Sequence, residues 1–387
     1  MIYPSDKCPW AATPVQKQLL DVVLAPEGYA SENGLAWLNS LDIANQQEVL
    51  NRLLPMVHER LRSKAVEHPL MEKIKGVRRK VWSRNQLLFK HATPIIQALR
   101  DAGIPLMLLK GTAMMTQYYE DTGLRAMGDV DLMVPFNDVD QAIDLLRKNG
   151  WKPEIPLPAR LTQDMKLCAH AIGFTEPSGL SIDLHWHLLH FCLHPQADRS
   201  FWEASEASTF AQRDVRILNP ADQLLHLIVH GLVWCVTPTI RWIPDACIVI
   251  RKTPGLDWNR LIAEARERKL VLFVRTALNY LAESFAVPIP SQVLHALNSL
   301  PVTTRERNEF AAFTQLRLSP FSTPLQIDYS VPLAARLRYY TYRRNAEGAA
   351  RCGIKLTIFG FLRVHYNKEP TRNWRSTSWN ASFAVCG

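Results

Sequence analysis

The chain has 387 residues, of which 47% are hydrophobic and 21% are charged, and these values place it among ordinary globular proteins of two or three domains. Its seven cysteines are scattered without a Cys-x-x-Cys pair, which argues against a disulfide framework or a structural zinc site and favours a cytoplasmic location. We expect no signal peptide at the N-terminus, and no apolar run is long enough to span a bilayer.

The first hundred residues are predicted to be helical. Apolar residues recur at helical spacing over residues 15–24, 45–62 and 70–100. Gly103, which follows the last of these runs, is a predicted C-terminal helix cap. We therefore assign residues 1–100 to an N-terminal helical region.

A strand, a glycine turn and a helix are predicted next. An apolar run over residues 106–109 predicts a buried strand, and Lys110, Gly111 and Thr112 follow it at the start of an amphipathic segment. Backbone N–H groups at a helix N-terminus bind phosphate, so Gly111 and Thr112 are candidate phosphate ligands. Lys110 and Arg125 could bind a triphosphate; alternatively, Lys110 could simply be solvated at the end of its strand.

Two carboxylates mark the second strand of this unit, over residues 129–134. Residues two apart in a strand point to the same face, so Asp129 and Asp131 are expected to lie side by side. Adjacent carboxylates repel each other unless a positive charge lies between them. A divalent cation fits this pair better than a solvated surface does.

The remaining elements are predicted from periodicity, turns and caps. Asn137 or Asp138 is expected to cap the next helix. The further elements are a helix over residues 139–148, a short strand over 151–155, a hairpin with strands over 170–174 and 180–186, a strand over 215–218 and a helix over 220–232. Mostly helical sequence follows to about residue 315. We assign residues 101–220 to a small α/β core and 221–318 to a helical region.

The second hairpin strand supplies a third acid. Asp183, His185 and His187 alternate with apolar residues and are expected to share one face. With Asp129 and Asp131, Asp183 would form a set of hard oxygen ligands that suits Mg²⁺ and phosphoryl or nucleotidyl transfer.

The net charge of +9 is unevenly distributed. Residues 331–387 contain ten lysines and arginines and two acidic residues. This basic C-terminal segment, assigned to residues 319–387, is also rich in aromatic residues and could contact nucleic acid or another anionic partner. The alternative is a solvated helix face.

The stretch LLKGTAMM…LRAMGDVDLMVP resembles the nucleotidyltransferases of the DNA polymerase β superfamily, and most of all a little-characterised bacterial family with a Lys-Gly turn, an Arg and an Asp-x-Asp strand. The resemblance implies an α+β fold, with a small mixed β-sheet nucleotidyltransferase core of the polymerase β type between helical N- and C-terminal regions. It places Gly111 and Thr112 at the family's glycine-serine position, Asp129 and Asp131 at its paired acids, and Asp183 at its third acid.

The later stretch HGLVWCVTPTIRWIPDACIVI resembles the helical region of the same family. It makes His230, Arg241 and Asp245 possible substrate contacts, together with His185. Two departures are that threonine stands where serine is usual and that the 17 residues between Gly111 and Asp129 exceed the usual superfamily gap.

The resemblance implies a Mg²⁺-dependent enzyme, with Mn²⁺ as a possible substitute, that transfers a nucleoside monophosphate from an NTP, expected to be ATP, and releases pyrophosphate. Asp129, Asp131 and Asp183 would be the catalytic and metal-binding residues. The acceptor stays open among a small molecule, a protein or peptide hydroxyl, and an RNA end.

Two other functions remain open from the sequence. The histidines at positions 185, 187, 190 and 194 could form a metal-dependent hydrolase centre with Asp183, because imidazole suits zinc. A catalytically inactive nucleotide-binding module is the other. His226 and His230 are expected to pack or to form hydrogen bonds, and Arg241 and Asp245, four residues apart, are expected to form an ion pair on a helix.

Overall fold

A computed structural model describes residues 8, 10–24, 30–40, 52–155, 157–161, 163–167, 169–190, 192–234 and 240–317. The predictions for residues 45–51 and for the basic C-terminal segment lie outside the described residues.

The N-terminal region is helical, as predicted. Its described helices are α1 (Pro14–Leu24), α2 (Ala30–Ser40), α3 (Leu54–Arg62) and α4 (Leu70–Asp101). The N–H of Gly103 donates to the carbonyl of Arg100 at 2.8 Å, and the N–H of Ile104 donates to the carbonyl of Leu99 at 3.0 Å. This is a Schellman motif, and Gly103 has the positive φ of 71° that it requires. The predicted glycine cap is therefore confirmed.

One mixed sheet of seven strands forms the centre of the described chain. The strands are β1 (Met107–Leu108), β2 (Asp129–Met133), β3 (Lys152–Pro153), β4 (Ala171–Thr175), β5 (Ser181–His185), β6 (Glu206–Phe210) and β7 (Arg213–Ile217). Their order across the sheet is β3-β4-β5-β2-β1-β7-β6. Strand β2 is antiparallel to β1 and parallel to β5. The mixed sheet between helical regions confirms the predicted α+β class, whereas β6 was not predicted.

Short helices connect these strands. They are α5 (Lys110–Gln117), α6 (Val139–Lys148), α7 (Gln163–Lys166) and α8 (Arg199–Glu203), and a 3₁₀ turn, Phe136–Asp138, precedes α6. Asp138 occupies the predicted N-cap position of α6, but its side chain forms no capping hydrogen bond. The 3₁₀ turn already gives Asp138 helical backbone angles, which a capping side chain normally avoids.

The helices after the sheet begin with α9 (Pro220–Val229), which continues into a π-helical turn, His230–Trp234. Asn219 caps α9 by accepting the N–H groups of Ala221 and Asp222. The later described helices are α10 (Trp242–Lys252), α11 (Trp258–Glu267), α12 (Val271–Phe285), α13 (Ser291–Ser299) and α14 (Thr304–Arg317). Among the helices that the structure describes, none combines the length and apolar character needed to cross a lipid bilayer.

Strands β2 and β5, which are neighbours in the sheet, have one face in the hydrophobic core and an opposite face that carries polar residues. Val130, Leu132, Ile182 and Leu184 are fully buried in the hydrophobic core. Residues between them in the sequence therefore project to the opposite face. This alternation places the acids of β2 and β5 together on one side of the sheet.

Candidate active site

Asp131 and Asp183 lie directly opposite each other on the parallel strands β2 and β5. Asp129 lies two residue pairs earlier, opposite Ser181. Because strand residues two apart share a face, the structure brings the three predicted acids together. Asp131 is 2% exposed, whereas Asp129 and Asp183 are partly exposed.

The buried Asp131 has two cationic or hydrogen-bonding partners. Nζ of Lys110 lies 2.6 Å from its Oδ1, and Nε2 of His185 lies 3.0 Å from the same oxygen. Burial pushes the pKa of Asp131 upward, but the Lys110 ammonium and the His185 contact outweigh it and hold the pKa below its ordinary value. Asp131 is therefore ionised in the folded protein.

The pKa values of Asp129 and Asp183 are shifted in the opposite direction to that of Asp131. Burial, followed by repulsion from Asp131 and Asp183, raises the pKa of Asp129 well above its ordinary value. Burial and the charge of Asp131 also raise the pKa of Asp183, against the opposing effect of Lys110. One lysine is thus insufficient to neutralise three neighbouring carboxylates, which is the electrostatic condition that a bound cation relieves.

Lys110 is the first residue of α5 and has a positive φ of 44°, which is unusual for a residue other than glycine. Its side chain is 15% exposed and ion-paired, so the alternative of a solvated lysine is wrong. The carboxylates of Asp131, Asp183 and Asp129 outweigh its burial and raise its pKa. Lys110 therefore carries a positive charge inside the site.

Glycine is required at position 111 because neighbouring side chains approach its Cα closely, and not because the backbone turns there. A Cβ at this position would lie 2.6 Å from Nη1 of Arg125 and 3.1 Å from Cγ of Met127. Thr112 is fully buried, and its hydroxyl has no hydrogen-bond partner in the described structure. No side chain caps α5, so its first N–H groups are not occupied by a capping residue.

Arg125 is held by the later helical region. Its Nε lies 3.0 Å from both carboxylate oxygens of Asp245, and its Nη2 lies 2.8 Å from Oδ2. The hydroxyl of Tyr119 donates to Oδ1 of Asp245 at 2.7 Å. The structure thus gives Asp245 a different partner from the predicted Arg241. Nη1 of Arg241 donates to the carbonyl of Ala126 at 3.0 Å.

His226 and His230 line the same pocket as Lys110. Burial and the charge of Lys110 lower the pKa of His226 to about 3, and the same two causes hold the pKa of His230 well below its ordinary value. Their ring centroids are 6.1 Å apart. Both imidazoles are therefore neutral at physiological pH.

The four histidines of the hydrolase alternative are dispersed. Nδ1 of His187 lies 2.7 Å from Asp198, and His194 is exposed, whereas only His185 contacts Asp131. Among the described residues, one group could hold a metal ion: Asp131, Asp183 and His185, whose ligand atoms all lie within 4.8 Å of one another. A four-histidine centre is thus not assembled, although one histidine joins the acids.

A narrow cleft runs along part of this site, beside Asp129 and Asp131. It is lined by Lys110, Gly111, Arg125, Met127, Gly128, Asp129, Asp131, His226, Leu227, His230, Gly231, Arg241, Trp242 and Asp245. The cleft therefore joins the start of α5 and the acidic strand to one wall formed by α9, the π-helical turn and α10.

The sequence from residue 33 to residue 286, more than half of the chain, matches the model of a family described as "Uncharacterised nucleotidyltransferase". The chain belongs to this family. The match spans the acids, Lys110 and the whole wall that carries His226, His230, Arg241 and Asp245. No protein of curated function matches the sequence.

Two solved structures resemble this nucleotidyltransferase at low similarity. An antigenic nucleotidyltransferase-like protein from Paracoccidioides brasiliensis has 15% identity and a TM-score of 0.32, over 54% of this chain and 96% of its own. The Megavirus polyadenylate synthase has 14% identity and a TM-score of 0.31, over 56% of this chain and 44% of its own. At these TM-scores the likeness carries no argument about substrate or mechanism.

Residues of α4 hold the loop that leads to Asp129, and no sequence pattern indicated them. Nδ2 of Asn85 donates to the carbonyls of Thr122 and Arg125 at 2.6 and 2.8 Å. Nη2 of Arg84 donates to the carbonyl of Gly128 at 3.3 Å. These polar residues lie in a long amphipathic helix, where their spacing matches no known site pattern.

Proposed function

We propose that this nucleotidyltransferase transfers a nucleoside monophosphate from an NTP, with ATP as the expected donor, to an acceptor and releases pyrophosphate. The observation that carries the proposal is the pairing of Asp131 with Asp183 across β2 and β5, with Asp129 two residues earlier. A cytoplasmic location is part of the same proposal.

The donor set fits Mg²⁺, or Mn²⁺ in its place. Hard carboxylate oxygens on rigid strands suit these ions, and the raised pKa values of Asp129 and Asp183 indicate that the site has too little positive charge. Asp131 and Asp183 would hold the metal, and we propose Asp129 as the third carboxylate ligand, although its oxygens lie outside the group of ligand atoms within 4.8 Å of one another. When bound, it would supply positive charge to the phosphates and lower the pKa of the acceptor hydroxyl.

The protein's own groups would position the substrates. Asp183 is our candidate to accept the proton of the acceptor hydroxyl. The uncapped N-terminus of α5 would offer the N–H groups of Gly111 and Thr112 to the phosphates. The side chain of Thr112 is fully buried, so any contribution from this residue would come from its backbone.

Lys110 and Arg125 have different proposed roles. Lys110 would keep Asp131 ionised and could also meet a phosphate beside it. Arg125 is bound by Asp245, so we propose that it positions the Gly111 turn and that Asp245 acts through it. His185 would orient Asp131, while His230 and Arg241, which line the cleft, remain the proposed substrate contacts.

The cleft has a volume of about 30 Å³, which is enough for about two water molecules but too small for a nucleotide. We therefore expect the wall carrying His230 and Arg241 to move away from the acids when an NTP binds. The acceptor would be a small molecule, a protein or peptide hydroxyl, or an RNA end.

The test is incubation of the protein with each α-labelled NTP and Mg²⁺, with and without these acceptors. We expect label to be transferred, and we expect Asp129→Asn, Asp131→Asn and Asp183→Asn to reduce transfer at least about a hundredfold. Asp214→Asn is the matched control, because Asp214 is 84% exposed and lies outside the cleft. Equal transfer by Asp131→Asn and the unaltered protein would contradict the assignment.

A metal-dependent hydrolase is the second candidate, because His185 lies with Asp131 and Asp183 in the group that could hold a metal. Hydrolysis supported by zinc, with no transfer from any NTP, would favour it. NTP binding without turnover would instead indicate an inactive nucleotide-binding module.

A further inference from the structure

A second concave surface lies between α3 and α4. This groove has a volume of about 790 Å³ and is distinct from the acidic cleft, with which it shares no lining residue. Arg62, Lys75, Arg79 and Trp82 are among the side chains that line it, and Glu67 and Glu72 line it as well. Glu72 lies in the first turn of α4 and Asp121 also lines the groove, so the groove is of mixed charge, with Lys75, Arg78 and Arg79 as its basic residues on α4.

The positive charge of α4 is concentrated beside the groove. Residues 73–90 contain seven lysines and arginines and no acid. Within the helix, Lys75 is paired with Glu72 at 3.0 Å and Arg78 is paired with Asp121. In the part of the chain that the structure describes, Lys73, Arg79, Lys80 and Lys90 have no ion-pair partner, and Arg79 is the one of them that lines the groove.

Trp82 stands among these charges with half of its surface in solvent. It is 50% exposed, and Leu87, which is 49% exposed, is the other large apolar side chain of α4 that is exposed to this extent in the described structure. Nucleic-acid bases stack on exposed aromatic rings regardless of sequence, while neighbouring basic groups bind the phosphates. An exposed tryptophan beside an unpaired arginine provides both parts of this arrangement.

The groove adjoins the loop that leads to the acids. Asp121 and Gly123 line the groove, and a Cβ at Gly123 would lie 3.2 Å from Cβ of Trp82. The same loop continues to Gly128, which lines the cleft and accepts a hydrogen bond from Arg84 of α4. The loop from Asp121 to Gly128 and its contacts with α4 therefore link the groove to the cleft.

We propose that this groove binds a single strand of nucleic acid whose terminal hydroxyl is the acceptor. The inference rests on the proposed nucleotidyl transfer. The hydroxyl oxygen bonds to the α-phosphorus of the NTP, the bond from that phosphorus to the pyrophosphate oxygen breaks, and the hydroxyl proton passes to Asp183. Phosphates fit the unpaired cations of α4, and Trp82 favours a base over an acidic peptide.

The test is the binding of fluorescein-labelled oligouridylate and oligothymidylate of about twelve nucleotides, measured by anisotropy on the full chain at salt concentrations from about 50 to about 200 mM. We expect Trp82→Ala to weaken binding about tenfold and Arg79→Ala to weaken it and reduce the salt slope by about one. Arg266→Ala is the matched control, because Arg266 is exposed on α11, outside both concave surfaces. Preference for one oligonucleotide would identify RNA or DNA.

Binding is measured separately from catalysis, using Asp131→Asn protein. If this variant and the unaltered chain bind oligonucleotide equally well, but the unaltered chain incorporates no NTP, the proposed reaction fails and the groove stands. If oligonucleotide binding is absent, or is unchanged by both Trp82→Ala and Arg79→Ala, the groove proposal is overturned. Tighter binding of oligoglutamate than of either oligonucleotide would overturn it in favour of an acidic peptide.

Discussion

Nζ of Lys110 and Oδ1 of Asp131 are 2.6 Å apart in a buried ion pair, so the strand acid has a counter-ion of its own before any metal binds. We predict that Lys110→Met lowers the free energy of unfolding by about 3–5 kcal/mol, because it leaves a buried carboxylate without its partner. Thermal denaturation in EDTA measures this loss.

Mg²⁺ should recover part of the loss, because it can replace the missing charge. The melting temperature of Lys110→Met should therefore rise more on Mg²⁺ addition than that of the unaltered protein. Lys252→Met is the control, because Lys252 forms only an exposed pair with Glu120 and its removal should change little. An equal rise in melting temperature on Mg²⁺ addition for Lys110→Met and for the unaltered protein would argue against a metal beside Asp131.

The pair of Arg125 and Asp245 provides a second prediction. Asp245→Ala should destabilise the protein by about 3–5 kcal/mol, because the buried guanidinium loses a carboxylate that binds it through three short contacts. In a double-mutant cycle with Arg125→Met, the sum of the stability losses in the two single variants should exceed the loss in the double variant. Additive losses in chemical denaturation would show that the two side chains do not interact.

Gly111 and Gly76 form a matched comparison in helices. Gly111→Ala should lower stability and nucleotidyl transfer, because its Cβ would lie 2.6 Å from Nη1 of Arg125, which Asp245 prevents from moving aside. Gly76→Ala should raise the free energy of unfolding by about 0.5–1 kcal/mol, because nothing lies within 4 Å of its new Cβ. Similar melting temperatures for both variants would contradict this prediction.

Glu309 in α14 should make stability depend on pH. Burial raises its pKa from 4.5 to about 7 in the folded protein. The folded state therefore holds the proton more tightly than the unfolded state, and the stability contributed by this group is lost as pH rises from about 4.5 to about 7.

Glu309→Gln removes this ionisation. We expect the variant to match the unaltered protein near pH 4.5 and to be more stable by about 1–3 kcal/mol at pH 8, as measured by urea denaturation. Glu267→Gln, at a site that is 74% exposed, should show no such difference. A constant difference between Glu309→Gln and the unaltered protein across this pH range would exclude the predicted titration.

The acids and their strands could be predicted from the sequence because two-residue alternation is a local signal. Asp129 and Asp131 lie on one strand, and the hairpin that carries Asp183 has an evident turn. The register that places Asp131 opposite Asp183 could not be predicted, because parallel partners are joined through a long intervening chain rather than a tight turn.

Pairings between distant segments were the main features that the sequence could not supply. Arg125 and Asp245 are 120 residues apart, and no local pattern favours Asp245 over a triphosphate as the partner of Arg125. Strand β6 was not predicted because most of its side chains are small or polar and exposed, and Phe210 is its only buried residue. Lys110 was ambiguous for a related reason, since its burial depends on where β2 lies.

The parallel pairing of β2 and β5 also governs how this protein can change in length. Asp131 and Asp183 are separated by 52 positions in the chain, yet their neighbourhood is fixed by the strand ladder and not by the intervening residues. Insertions or deletions between the strands can therefore accumulate without moving the acids. A single residue added inside either strand would turn its acid toward the core, so gaps in related sequences should avoid both strands.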